Sequence, residues 1–275
     1  MLNLIFFSLF VQLAVGTLLP LFFMSLEEIG VTFFRFMSGV AALLLAIAWW
    51  AHPFAHPIFN LSPLAFSGFP HPVMGLMAAT IVILLAGSIW IKRGKKIYLF
   101  PAFALGLAVV VCTALFSPAS LELPVQYSGL RAASFLASAL LLGTVMSAMI
   151  TGHWYLVNRR LTIQPLRIAT VLFLGATVLR LVLVIAVVSV LALSRETLVS
   201  QAAQALLQFS GQGWLFWLRF AIGLIGPLVF GGMIYATVKI RSTQSATGML
   251  YATVVFVFLG EAFAKFIWLF TGIPV

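Results

Sequence analysis

The sequence predicts an all-α, polytopic integral membrane protein of eight transmembrane helices, and three observations carry that prediction. Of 275 residues, 63% are hydrophobic and 7% charged, against about 25% charged in ordinary soluble domains. The apolar residues fall in runs long enough to cross a bilayer, which takes roughly 20 residues of helix. Most basic residues sit between those runs. A soluble core has no room for so much apolar surface, so residues 1–275 read as one integral membrane domain.

The first run, 3–24, begins without the basic region or small-residue cleavage pattern of a secretory signal and reads as a retained span. Runs 33–50, 73–91 and 97–116 follow. The last of these holds Cys112, the single cysteine, a small packing residue and no basis for a disulfide framework or thiolate cluster. The fifth run, 130–155, ends in Trp154 and Tyr155 ahead of Asn158-Arg159-Arg160, an aromatic interface belt with a basic flank. Run 166–193 is the longest, and it and run 214–239 are expected to tilt or extend past the lipid. Within the seventh, Gly226-Pro227 predicts a kink, and Gly223, Gly226, Gly231 and Gly232 would let a neighbouring helix approach closely. The eighth run, 246–271, starts after Ser245, a candidate N-cap. Two four-helix bundles are the natural division.

Loop charge sets the expected orientation. Connections after odd-numbered helices hold ten basic residues: Arg35, Lys92, Arg93, Lys95, Lys96, Arg159, Arg160, Arg167, Lys239 and Arg241. Those after even-numbered helices hold Arg131, Arg195 and Arg219. The positive-inside rule then puts both termini outside the cytoplasm, in a bacterial plasma (inner) membrane. A formal charge of +10 placed in short loops serves orientation and anionic lipid headgroups, not nucleic acid. The longer connections, His52–Pro72, Ser117–Gly129 and Ser194–Gly213, face outward, where partners dock or the chain merely caps its helices.

Ionisable residues inside spans are costly and mark function by default. Glu261 lies about 15 residues into the last helix, in the outer half, with Lys265 one turn further out. Their i,i+4 spacing permits a self-contained ion pair. Arg180, near the middle of the sixth helix, needs a carboxylate, a carbonyl or water; an Arg180–Glu261–Lys265 cluster is the alternative. Gln12, midway along the first helix, is the other polar intruder, open to a bond with a neighbouring helix.

The histidines first suggest haem. His153 falls near the cytoplasmic end of the fifth helix, about 30 Å of bilayer from His52, His56 and His71, so it cannot share an iron with them. A haem would have to use His52, His56 and His71 alone, and all three precede proline. No acid completes a metal site there, so no metal is expected. His52 shares the outer side with Glu261 and Lys265. A quinone or quinol head group, with two carbonyl oxygens and two-proton chemistry, suits a histidine that trades protons and a carboxylate that relays them.

Three stretches resemble the eight-helix membrane-anchor subunit of dimethyl sulfoxide reductase, within the polysulfide-reductase group of quinol-handling subunits. Gln12 followed by Gly16 is similar to that family's first helix. Ala51-His52-Pro53-Phe54-Ala55-His56-Pro57 looks like its His-Leu-Gly-x-Pro segment, with Pro53 in place of Leu-Gly and Pro57 one residue late. Gly260-Glu261 with Lys265 resembles its Gly-Glu followed by a base. The stretches 151–155 and 243–248 match nothing in that family. The resemblance implies a non-catalytic quinone-binding subunit, with extracytoplasmic iron–sulfur or haem redox subunits as partners. His52 and Lys265 would contact the quinone, and Glu261 would relay protons. A proton-coupled transporter using Arg180, Glu261 and Lys265, or a purely structural anchor, are the other readings.

Overall fold

The computed structural model describes residues 2–51, 71–91, 96–117, 121, 123–158, 161–211 and 213–275. His52 and His56 lie outside them; His71 opens a helix, but its side chain also lies outside. Among the described residues the chain is helical, with no strand. Eight helical stretches are long and apolar enough to cross a membrane.

The first span is broken into α1 (Leu2–Gly16) and α2 (Leu19–Phe23). Pro20 has no N–H to give the carbonyl four residues back, so the ladder cannot run through. The Leu21 amide turns to the Leu18 carbonyl, and Ser147 donates to the Thr17 carbonyl at 3.0 Å. The short α3 (Leu26–Ile29) follows, capped by Ser25, whose hydroxyl accepts from the Glu27 amide at 3.2 Å. Spans α4 (Val31–Trp50), α5 (His71–Trp90) and α6 (Leu99–Phe116) come next. Ahead of α6, the Lys96 ammonium donates to the carbonyls of Leu21, Phe22 and Met24 at 3.0, 2.7 and 2.8 Å. It thereby takes up oxygens that the end of α2 leaves bare.

A 3₁₀ turn, Val125–Tyr127, leads into α7 (Ser128–Val157), then α8 (Gln164–Ala192) and the amphipathic α9 (Thr197–Leu207), which buries Val199, Ala203 and Leu206. The seventh span is α10 (Gly213–Phe220), a π-helical turn (Ala221–Ile225) and α11 (Gly226–Lys239). The expected interruption at Gly226-Pro227 is therefore a π turn, as the missing Pro227 N–H forces a wider loop in the ladder. The last span, α12, runs Thr243–Thr271 and not from a Ser245 cap; Ser242 precedes it without a side-chain cap bond.

Each half of the chain closes on itself: α1 packs on α4, α4 on α5, α5 on α6, and α6 on α1; likewise α7 on α8, α8 on α11, α11 on α12, and α12 on α7. Helices α1 and α7 join the halves. They cross at glycines, where a Cβ on Gly16 would lie 1.8 Å from the Ala139 oxygen and one on Gly143 1.9 Å from the Gly16 carbonyl carbon. Such backbone contact is what small residues give in a bilayer, where van der Waals packing must replace the hydrophobic effect.

Candidate polar site within the bundle

Four helices of the second half, with α1, bring polar residues to one depth. Gln12 lies ten residues from the start of α1, Ser138 ten from the start of α7, and Glu261 ten from the end of α12. At 1.5 Å per residue, each is about 15 Å from the same end of the bundle. Arg180 and Arg219, on α8 and α10, reach the same level.

Glu261 is the centre, and it is buried. Its Oε1 accepts from Arg180 Nε at 3.0 Å and Arg219 Nη2 at 3.4 Å; its Oε2 accepts from Arg180 Nη2 at 3.0 Å and Ser138 Oγ at 2.6 Å. All four lone-pair positions of the carboxylate are thus used. The Arg180 contact is the two-pronged arginine–carboxylate fork, among the strongest of ion pairs. Arg180 also donates through Nη1 to Ser134 Oγ at 2.6 Å and through Nη2 to the Val275 oxygen at 3.0 Å. Ser134 in turn donates to the Pro274 carbonyl at 2.6 Å. Gly272 makes this possible: its φ of 73° ends α12 and turns the chain back, a conformation few side chains tolerate.

Lys265 Nζ lies 3.9 Å from Glu261 Oε2, donates to Ser138 Oγ at 3.1 Å and sits 4.4 Å from the Phe135 ring centroid, a cation–π contact. Phe135 also meets Trp268 edge-on at 5.1 Å between centroids.

Proton accounting at Ser138 fixes Gln12. The hydroxyl has one proton and three neighbours: Lys265, which only donates; Glu261, which accepts; and the Gln12 amide at 2.8 Å. The structure points Gln12 Oε1 at Ser138 and leaves Gln12 Nε2 without a partner among the described residues; with the one proton on Glu261, the flipped amide, NH₂ toward Ser138, satisfies all three contacts.

Three cations face one side-chain carboxylate in this buried site. Placing a basic side chain at the centre of a span costs about 3 kcal/mol even on the mildest scale, so each needs an acceptor. Arg219 is the exception: it is fully buried, and among the described residues its Nε and Nη1 find no acceptor and its one bond is the 3.4 Å contact. Trp268 Nε1 is likewise buried without a partner.

Glu261, Lys265, Arg180 and Gln12 are therefore brought together, as a cluster and not as an isolated Glu261–Lys265 pair. The quinone-facing role expected of His52 lies outside the described residues, as do the haem-ligand roles of His52, His56 and the His71 side chain. Helix α4, which leads to His52, packs on α1 and α5, while α12 packs on α7 and α11. Arg219, Ser134 and Ser138 were not anticipated. Arg219 read as a loop base; its place between Leu218 and Phe220 in an apolar run was the available signal. His153 lies toward the opposite end of α7, with Nδ1 2.8 Å from the Tyr251 hydroxyl.

Cavities flank the cluster without reaching it. One of about 540 Å³ lies between α9 and the end of α12, lined by Leu198, Ala202, Leu206, Gln208 and Phe270. Another, of about 780 Å³, lies at the opposite end against Tyr155, Arg241, Gln244 and Tyr251. Among the described residues no group of three His, Cys, Asp or Glu side chains could hold a metal ion. No protein-family model matches the chain, and no match is found among curated proteins or solved structures.

Proposed function

We propose that this chain is the membrane-anchor subunit of an electron-transfer complex, binding quinone or quinol near the outer face of a bacterial plasma membrane. Its redox partner would be an extracytoplasmic subunit bearing iron–sulfur or haem centres. The observation that carries the reading is a pair of donors on one face of α12. Among the described residues Lys265 has one hydrogen-bond acceptor for three N–H groups, and Trp268 Nε1, one turn further out, has none; both pack on Phe135. A quinone offers two carbonyl oxygens and an aromatic ring, and it exchanges two electrons with two protons. Those donors suit its oxygens, and Phe135 suits its ring.

Within this reading Arg180 and Glu261 are positioning residues. Glu261, with every lone pair engaged, holds Lys265 and Ser138 in place. The packing of each half on itself supports two four-helix bundles. Burial of Arg219 removes one base from the sparsely charged face, and this supports outward termini. A transporter built on paired broken helices is less well supported, since the interruptions fall in the first span of one half and the third of the other.

The test is quinone content after gentle purification from native membranes. Wild type should retain quinone. Trp268→Phe, which removes the N–H together with part of the indole's bulk, should weaken binding by at least about two- to tenfold, the worth of one neutral hydrogen bond; Lys265→Met should weaken it more. Quinone-free wild type within an intact complex would leave only the structural anchor.

A further inference from the structure

Arg219 poses a problem separate from the quinone reading. It lies on the Oε1 side of Glu261, whereas Lys265 and Ser138 lie on the Oε2 side. Arg180 already occupies both carboxylate oxygens through its fork. Arg219 is left with the longest hydrogen bond to Glu261, 3.4 Å, and two nitrogens, Nε and Nη1, that find no acceptor among the described residues. A guanidinium cannot shed its charge at physiological pH. A buried one without acceptors among the described residues calls for a further partner.

The fold goes out of its way to hold Arg219 there. The π turn Ala221–Ile225 begins two residues after it, and within that turn Gly223 meets Gly260, the neighbour of Glu261. A Cβ on Gly223 would lie 2.6 Å from the Gly260 Cα. The close approach draws α10 toward α12 and fixes Arg219 against a carboxylate already committed elsewhere. It sits six residues from the start of α10, about 9 Å from that end of the bundle.

We infer that Arg219 is the ligand-contacting cation of a binding site for an oxyanion, a carboxylate or phosphate group. Two sources share that chemistry: a small free anion arriving from the outer face, and the phosphate of a lipid headgroup drawn in along α10. The cluster's composition favours a negative ligand over a neutral one, since three cations surround one side-chain carboxylate. Arginine is the side chain suited to such groups.

Purified full-length chain in phosphatidylcholine nanodiscs separates the sources. In one arm, inorganic phosphate or acetate is titrated and the thermal unfolding midpoint followed. In the other, lipid phosphate retained through delipidation is counted by native mass spectrometry. A free-anion site raises the wild-type midpoint with added anion; a headgroup site retains an anionic phospholipid and shows no such rise. In either case Arg219→Gln should weaken binding about ten- to a hundredfold, as expected for a charge-assisted hydrogen bond. Arg219→Lys, which keeps the charge, should fall between. If Arg219→Gln does not fold, wild type against Arg219→Lys decides. The inference is overturned if wild type neither responds to anion nor retains anionic lipid, or if the variants bind as wild type does.

Discussion

Glu261 stands alone against Arg180, Arg219 and Lys265, and the stability of the second half depends on it. Removing one partner from a buried ion pair leaves its counter-charge uncompensated and typically costs about 3–5 kcal/mol. Glu261→Gln should fall in that range, read as a lowered thermal midpoint in detergent. Adding Arg219→Met should recover part of the loss, because one unpaired cation goes with it. If Glu261→Gln unfolds like wild type, the charges are not held together as described. Glu261, Lys265, Arg180 and Gln12 were legible in the sequence because an ion or amide within an apolar run is rare and must meet something. Ser134 and Ser138 were not legible. Hydroxyls are common in spans and usually bond their own helix, as Thr113, Thr170, Thr177 and Thr253 do to carbonyls four residues back. Only the neighbouring helices distinguish Ser138 from these.

At the level of helices, glycine contacts set what the cluster can be. The Gly223–Gly260 approach leaves no room for a methyl group: a Cβ on Gly260 would lie 2.3 Å from the Gly223 Cα, backbone against backbone. Gly260→Ala must force α12 from the π turn, at a cost of about 1–3 kcal/mol as for other overpacked sites. Gly232→Ala is the matched control. Nothing lies within 4 Å of its Cβ, and alanine in a helix is favoured by up to about 1 kcal/mol. Opposite shifts of the unfolding midpoint for these two substitutions are expected; equal shifts would mean that the crossing is not close. The spans themselves were readable from hydropathy, each within about three residues of the helix ends, since length and apolarity are imposed by the bilayer. Their interruptions were less so. Pro227 announced a disturbance, but a π turn and a kink have the same local sequence cause. At Pro20 the break in the first span went unread, because the apolar run continues through it.

For the whole molecule, orientation decides which solution the Glu261 end meets. Bases in the connections fall mainly at the end that includes Lys96 and Arg241, opposite the Glu261 cluster. Gln208 and Phe270 line one cavity and so share an end, whereas Gln244 opens α12 at the other. Cysteines at Gln208 and Gln244, introduced singly after Cys112→Ser, report these two faces. With a membrane-impermeant maleimide on intact cells, Gln208→Cys should label at once and Gln244→Cys only after permeabilisation. Charge bias in short loops orients membrane proteins, and removing Arg219 from the loop tally strengthens it. The reverse labelling pattern would place Glu261, Arg219 and Lys265 in the cytoplasmic half. A quinone at Lys265 would then exchange electrons with a cytoplasmic partner, and an anion at Arg219 would come from the cytoplasm. The chemistry of the cluster would stand, and the side on which it works would change.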